Sequence, residues 1–171
     1  MEFLELANNR YSERSFDKSR PIEEEKLSKI LEAGRLAPTA CNFQPQKIYV
    51  IKSEDALWKA AKLTHTYNAP VVFLICYDIN VVWKNSREEG YNSGEQDASS
   101  VLTSMMFEAE SLGIHTLWIR GFSSAAVAES FELPENIKPA MMLAIGYPTE
   151  ASAPSPRHSD RKPLPDIVEE L

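Results

Sequence analysis

Glycine is scarce in this chain. Six occur among 171 residues, at positions 34, 90, 94, 113, 121 and 146. There is therefore no G-x-G-x-x-G, no P-loop and no G-x-S-x-G, which excludes a dinucleotide fingerprint, a Walker-type phosphate loop and a hydrolase nucleophile elbow. Cysteine is scarcer still. Cys41 and Cys76 lie far apart and form no C-x-x-C pair, a pattern expected of reduced thiols in a cytoplasmic protein. His65, His115 and His158 share no metal-ligand spacing, and His115, isolated between a helix end and a strand, reads as a packing or capping residue. No apolar run approaches the ~20 residues that a membrane-spanning helix needs, and the opening "MEFLELANNR" carries early acids instead of a basic leader. A formal net charge of −7 argues against broad binding to nucleic acid or acidic membrane. It leaves room for a small anionic ligand, because the 18 Lys and Arg can cluster locally.

What is present points to one domain, residues 1–171, of the α+β class. A short helix is expected over residues 2–8, followed by polar, irregular chain. From Ile22 to Leu36 the apolar positions fall at helical spacing behind a first turn rich in acids, and Pro38 ends that helix. "KIYVI" reads as a strand, residues 54–63 as a weaker helix, and "VVFLICY" (71–77) as a fully buried strand. Ser93-x-x-Gln96 matches a capping box opening the best helix, whose apolar face is Val101, Leu102, Met105, Met106, Ala109 and Leu112. "HTLWI" and "AMMLAIGY" are two more strands, with a short helix capped by Ser123 or Ser124 between them. The irregular mixture lacks a βα repeat and so disfavours a doubly wound parallel sheet.

Three polar segments stand out. "RYSERSF" puts Arg10, Ser12 and Arg14 at alternate positions, on one side of an extended chain. Two guanidiniums and a hydroxyl suit a phosphate or a heterocycle with carbonyl oxygens; a solvated charged turn is the plainer reading. "APTACNFQPQ" (37–46) is an uncharged helix-to-strand connection with hydrogen-bonding groups at Asn42 and Gln44, and Cys41 within it reads as a bystander, not a nucleophile. "PRHSDRKP" concentrates Arg157, His158, Arg161 and Lys162 in an acidic protein.

In order and spacing these segments resemble the nitroreductase family of FMN-dependent oxidoreductases. The resemblance rests on Arg10-x-Ser12-x-Arg14 after a short helix, on "APTACNFQP", on "LGIHTLWIRGF" (112–122), and on "AIGYP" followed by a proline-rich stretch and "RKPLPDIV". It covers nearly the whole chain. It implies a mostly antiparallel sheet flanked by helices, and a homodimer with FMN at the subunit interface and an exchanged C-terminal arm. Arg10, Tyr11, Ser12 and Arg14 would contact the FMN phosphate and the pyrimidine edge of the ring. Pro38, Thr39, Ala40, Asn42 and Gln44 would form a wall against the ring, reaching it from the neighbouring subunit. Backbone groups of Arg120 and Gly121 would lie near flavin N5, and Arg161 with Lys162 would close on the phosphate.

The implied reaction is a ping-pong transfer of hydride from NADH or NADPH, through the flavin, to a small electrophile: a nitroaromatic, quinone, enone or free flavin. No protein acid, base or nucleophile is required, since the cofactor carries the chemistry. Three features depart from the pattern: Gln46 and Lys47 stand where an aromatic is common, Arg120 where a small residue or an acid is usual, and the chain is short. Two other readings use the same residues: a flavin-storing or flavin-consuming relative, and a regulatory domain binding a phosphate-bearing metabolite.

Overall fold

The computed structural model describes residues 2–171. Five helices and four strands follow one another as α1 (Phe3–Asn9), α2 (Glu24–Leu36), β1 (Gln46–Ile51), α3 (Glu54–Leu63), β2 (Val71–Asp78), α4 (Gly94–Ser111), β3 (His115–Ile119), α5 (Ser124–Ser130) and β4 (Ile137–Gly146). The strands form one sheet in the order β1-β2-β4-β3, with every neighbouring pair antiparallel. The α+β class is as the sequence pattern implies, and the antiparallel sheet is as the family resemblance implies.

The two central strands explain their own composition. Along β2, Val71, Phe73 and Ile75 face one apolar cluster, while Val72, Leu74 and Cys76 face the other. Side chains alternate across a strand, so a strand covered on both faces must be apolar at every position. β4 behaves alike, with Met141, Leu143 and Ile145 on the first face and Met142 and Ala144 on the second. The first cluster is closed by α4 and α2 through Val101, Leu102, Met105, Ile30 and Leu27. The second is closed by α3 and α5 through Ala60 and Val127. Burial of the Cys76 thiol pushes its pKa up to about 12.

α4 departs from expectation at its start. Ser93 is the N-cap residue, but its side chain makes no cap bond; its hydroxyl donates instead to Asp97 Oδ2 at 2.6 Å. The Ser93 N–H already donates to Trp83 O at 3.0 Å, which leaves Gln96 no N-cap donor to reach back to, so the capping box does not form. Asn92 Oδ1 accepts from Gly94 N at 3.0 Å and takes the capping role. Gly94 is needed there, because a Cβ would run into the ring of Tyr77. At the other end, Gly113 leaves the helix at φ 73°, a conformation that glycine adopts without penalty. Ser123 does cap α5, accepting from Ala126 N at 3.3 Å.

Candidate functional site

Beyond α1 the chain runs extended against the edge of the sheet. Ser12 makes a parallel bridge to Thr116 of β3, and Glu13 N donates to Thr116 O at 2.9 Å. Extended backbone sends successive side chains to opposite sides. Glu13 turns inward and is buried, while Arg10, Ser12 and Arg14 turn out to a common cavity, with Tyr11 at its rim. The Arg14 guanidinium donates to Ser12 O at 3.1 Å. The Tyr11 ring packs edge-on to His115 with centroids 5.0 Å apart, so His115 is the packing residue its isolation suggests.

The C-terminal segment folds back over this stretch. Thr149 N donates to Ser15 O at 2.9 Å, the Ser15 and Thr149 hydroxyls meet at 2.6 Å, and those of Tyr11 and Ser152 at 2.9 Å. Further on, His158 Nε2 lies 2.9 Å from Asn8 O. A short 3-10 turn, Pro156–Ser159, presents Arg157 and His158, and Arg161 is braced by the carbonyl of Asp160 at 2.8 Å.

The two segments enclose a cavity of about 400 Å³, walled by Arg10, Tyr11, Ser12 and Arg14 on one side and by Ser155, Arg157, His158 and Arg161 on the other. Four guanidiniums and no carboxylate line it, which makes an anion the fitting occupant. Burial lowers the pKa of Arg10, an effect that Glu110 offsets and Arg161 adds to. Glu110 lies beneath, with its pKa raised by burial against the opposing pull of His115 and Arg10. Of the cations in the basic tail, Lys162 is exposed and outside the cavity wall.

The 37–46 connection lies elsewhere on the chain and does not line this cavity. Its backbone is unusual. Cys41, Asn42 and Gln44 hold φ values of 52°, 56° and 52°, in the left-handed region that costs a non-glycine residue about 1 kcal/mol or more. Several bonds hold the shape. Asp97 Oδ1 accepts from Ala40 N at 2.8 Å, Thr39 Oγ1 from Gln44 N at 3.1 Å, and Thr39 O from Asn42 N at 2.9 Å. The side chains of Cys41, Asn42, Phe43 and Gln44 all point to solvent.

Arg120 and Gly121 follow β3 directly. Arg120 is exposed, with its guanidinium 3.5 Å from Glu95 on the first turn of α4, and Gly121 O accepts from Thr64 Oγ1 at 3.1 Å. β3 thus runs from Thr116, whose backbone bridges to Ser12 of the cavity wall, to Arg120 four residues on, about 13 Å along a strand.

Sequence reasoning passes over Glu13 and Ser155. Ser155 carries no signal among the small residues of the tail. Glu13 carries one: in an alternating segment it is the acid at the inward parity, where burial demands a partner.

The fold is α+β, with an arginine-lined cavity beside its edge strand and a strained, solvent-facing amide loop; no group of three or more His, Cys, Asp or Glu side chains that could hold a metal occurs among the described residues. The chain belongs to the nitroreductase family, whose model matches residues 7–66 and 54–147. It is similar to a nitroreductase family protein from Clostridium difficile 630, at 37% identity and TM-score 0.92, with 99% of this chain and 98% of that one covered. It is 30% identical over 175 residues to the FMN reductase (NAD(P)H) of Bacillus subtilis, covering 91% of this chain and 70% of that protein. The fold is shared with a nitroreductase of Exiguobacterium sibiricum solved in complex with FMN, at TM-score 0.82 and 24% identity, with 100% and 98% of the two chains covered.

Proposed function

We propose that this protein is an FMN-dependent oxidoreductase that passes reducing equivalents from NADH or NADPH to a small electrophilic acceptor such as a nitroaromatic, a quinone, an enone or a free flavin. The observation that carries this reading is the cavity of about 400 Å³ in which Arg10, Arg14, Arg157 and Arg161 converge with no carboxylate on the wall. That donor set fits a phosphomonoester: charge-assisted bonds from guanidinium and hydroxyl groups are what a dianionic phosphate requires. When bound, FMN supplies the hydride-transferring ring, so the chain itself needs no acid, base or nucleophile.

The roles of the protein groups follow. Arg10, Ser12 and Arg14, with Arg157 and Arg161, hold the phosphate and the pyrimidine edge, and Tyr11 closes the rim. The backbone at Arg120 and Gly121 carries the ring edge, and Pro38, Thr39, Ala40, Asn42 and Gln44 form the opposite wall. That wall is not part of the same chain's cavity, which supports a homodimer in which each site takes its amide loop from the partner. The exposed Leu164, Ile167 and Val168 of the tail suit an arm laid on that partner, because apolar side chains grouped on a surface mark an interaction site.

The test is direct. Purified protein should be yellow or become so with FMN, and anaerobic NADH or NADPH should bleach it. A protein that binds FMN but is bleached by neither nucleotide would be a flavin-storing relative. One that takes up no FMN, yet binds inorganic phosphate, would be a phosphate-metabolite module.

A further inference from the structure

Glu13 is a fully buried carboxylate, 1% exposed, in the segment that supplies Arg10, Ser12 and Arg14 to the cavity wall. Its Oε1 accepts from Arg14 N at 2.9 Å and from Ser15 N at 2.7 Å. Its Oε2 accepts from the Ser152 hydroxyl at 2.5 Å, and His115 Nδ1 stands 3.7 Å away. Ser152 in turn meets Tyr11 Oη. One carboxylate therefore bonds both the backbone at Arg14 and Ser15 and the first part of the tail that supplies Ser155, Arg157, His158 and Arg161, while facing His115 of the edge strand without a hydrogen bond. The two amide bonds turn the Arg14 and Ser15 N–H groups inward and so fix which way the Arg14 side chain leaves the backbone. The bond to Ser152 sets how far the second wall stands from the first.

We propose that Glu13 is a positioning residue that sets the spacing of the two arginine walls and thereby the site's preference for a phosphorylated ligand over its unphosphorylated counterpart. This rests on the flavin reading above. Other ties hold the tail when the carboxylate is gone, namely Thr149 N to Ser15 O and the Ser15–Thr149 hydroxyl pair. The fold therefore survives removal of the carboxylate while the register of the walls does not. The charge matters less than the acceptor pattern. In Glu13→Gln the amide oxygen can still take both backbone N–H groups while the NH₂ donates to Ser152 Oγ.

The experiment is flavin titration, followed by fluorescence quenching, of wild type, Glu13→Gln, Glu13→Ala and Ser152→Ala with FMN and with riboflavin. Riboflavin lacks the phosphate, so the ratio of the two dissociation constants isolates the phosphate site from general loosening. Wild type should prefer FMN, Glu13→Gln should keep the ratio within about threefold, and Glu13→Ala should lower it about tenfold or more with riboflavin binding little changed, the scale of one charge-assisted hydrogen bond. Ser152→Ala, which cuts only the tie to the tail, should lower the ratio by a smaller factor, and it answers the question if Glu13→Ala does not fold. Equal weakening toward both flavins, or an unchanged ratio in both Glu13→Ala and Ser152→Ala, overturns the inference while leaving the flavin reading intact. Wild type that binds neither flavin overturns both.

Discussion

Arg14 and Cys41 make the sharpest contrast between single side chains. Both are exposed and both stand in segments that the family resemblance selects, but only Arg14 lines the cationic cavity. Arg14→Ala should weaken FMN binding about 10- to 100-fold, the loss of a charge-assisted contact, whereas Cys41→Ser should leave it nearly unchanged. Equilibrium titration of the two variants checks this. The thiols themselves should separate: Cys41 reacts with a chromogenic disulfide at pH 8, while Cys76, with its pKa pushed up to about 12 by burial, reacts only after denaturation.

Glu110 supplies a pH dependence. Burial raises its pKa above the ordinary carboxylate value of 4.5, so the folded protein holds that proton more tightly than the unfolded chain does. The stabilising contribution is complete below about 4.5 and is lost as pH rises through the higher folded value. Glu110→Gln should therefore melt at a higher temperature than wild type near pH 7. The gap should close as the pH is lowered toward 4.5, in melts of the flavin-free protein.

At the scale of elements, α4 is the part that joins core to site. Its buried face packs against the sheet, and its first turn offers Asp97 to the amide loop and Glu95 to Arg120. Gly94→Ala would force a Cβ into the Tyr77 ring and should cost about 1–3 kcal/mol of stability, a drop of several degrees in melting temperature. Asp97→Ala should act differently. It removes the acceptor for Ala40 N and leaves the left-handed loop unsupported, so flavin binding should suffer more than stability.

Most elements were legible because their composition answers to one constraint at a time. The unbroken apolar run of β2 requires cover on both faces, and the i, i+3, i+4 pattern of α4 requires cover on one. The start of α4 was misread because the Ser-x-x-Gln signal loses to two other partners of Ser93: Trp83 O takes its N–H and the Asp97 carboxylate takes its hydroxyl. The positive φ angles at Cys41, Asn42 and Gln44 were illegible for a related reason: none is glycine, so the strain is imposed by bonds from Asp97 and Thr39, not by residue preference. Alternation puts Arg10, Ser12 and Arg14 on one side of the chain, but taken alone it reads more plainly as a solvated turn. Their meeting with Arg161 is expected only through the family resemblance, and that with Arg157 not at all, since nothing local says that the tail folds back to Ser15 and Asn8.

Over the whole molecule, the two ends of the chain build one wall each of the cationic cavity, and the exposed amide loop at residues 37–46 stays outside it. The homodimer proposed above accounts for that division, each copy completing the other's site. Removing residues 150–171 should then abolish FMN retention, and should also reduce the dimer detected by light scattering, even though the sheet and both core clusters lie outside the deleted segment. The central claim is that this is a flavin enzyme, and its most direct test is the visible absorbance spectrum of the FMN-loaded protein before and after anaerobic addition of NADH or NADPH. A flavin band that is retained through gel filtration and bleached by at least one of the two nucleotides is the predicted result; a colourless protein that retains no added FMN would contradict it.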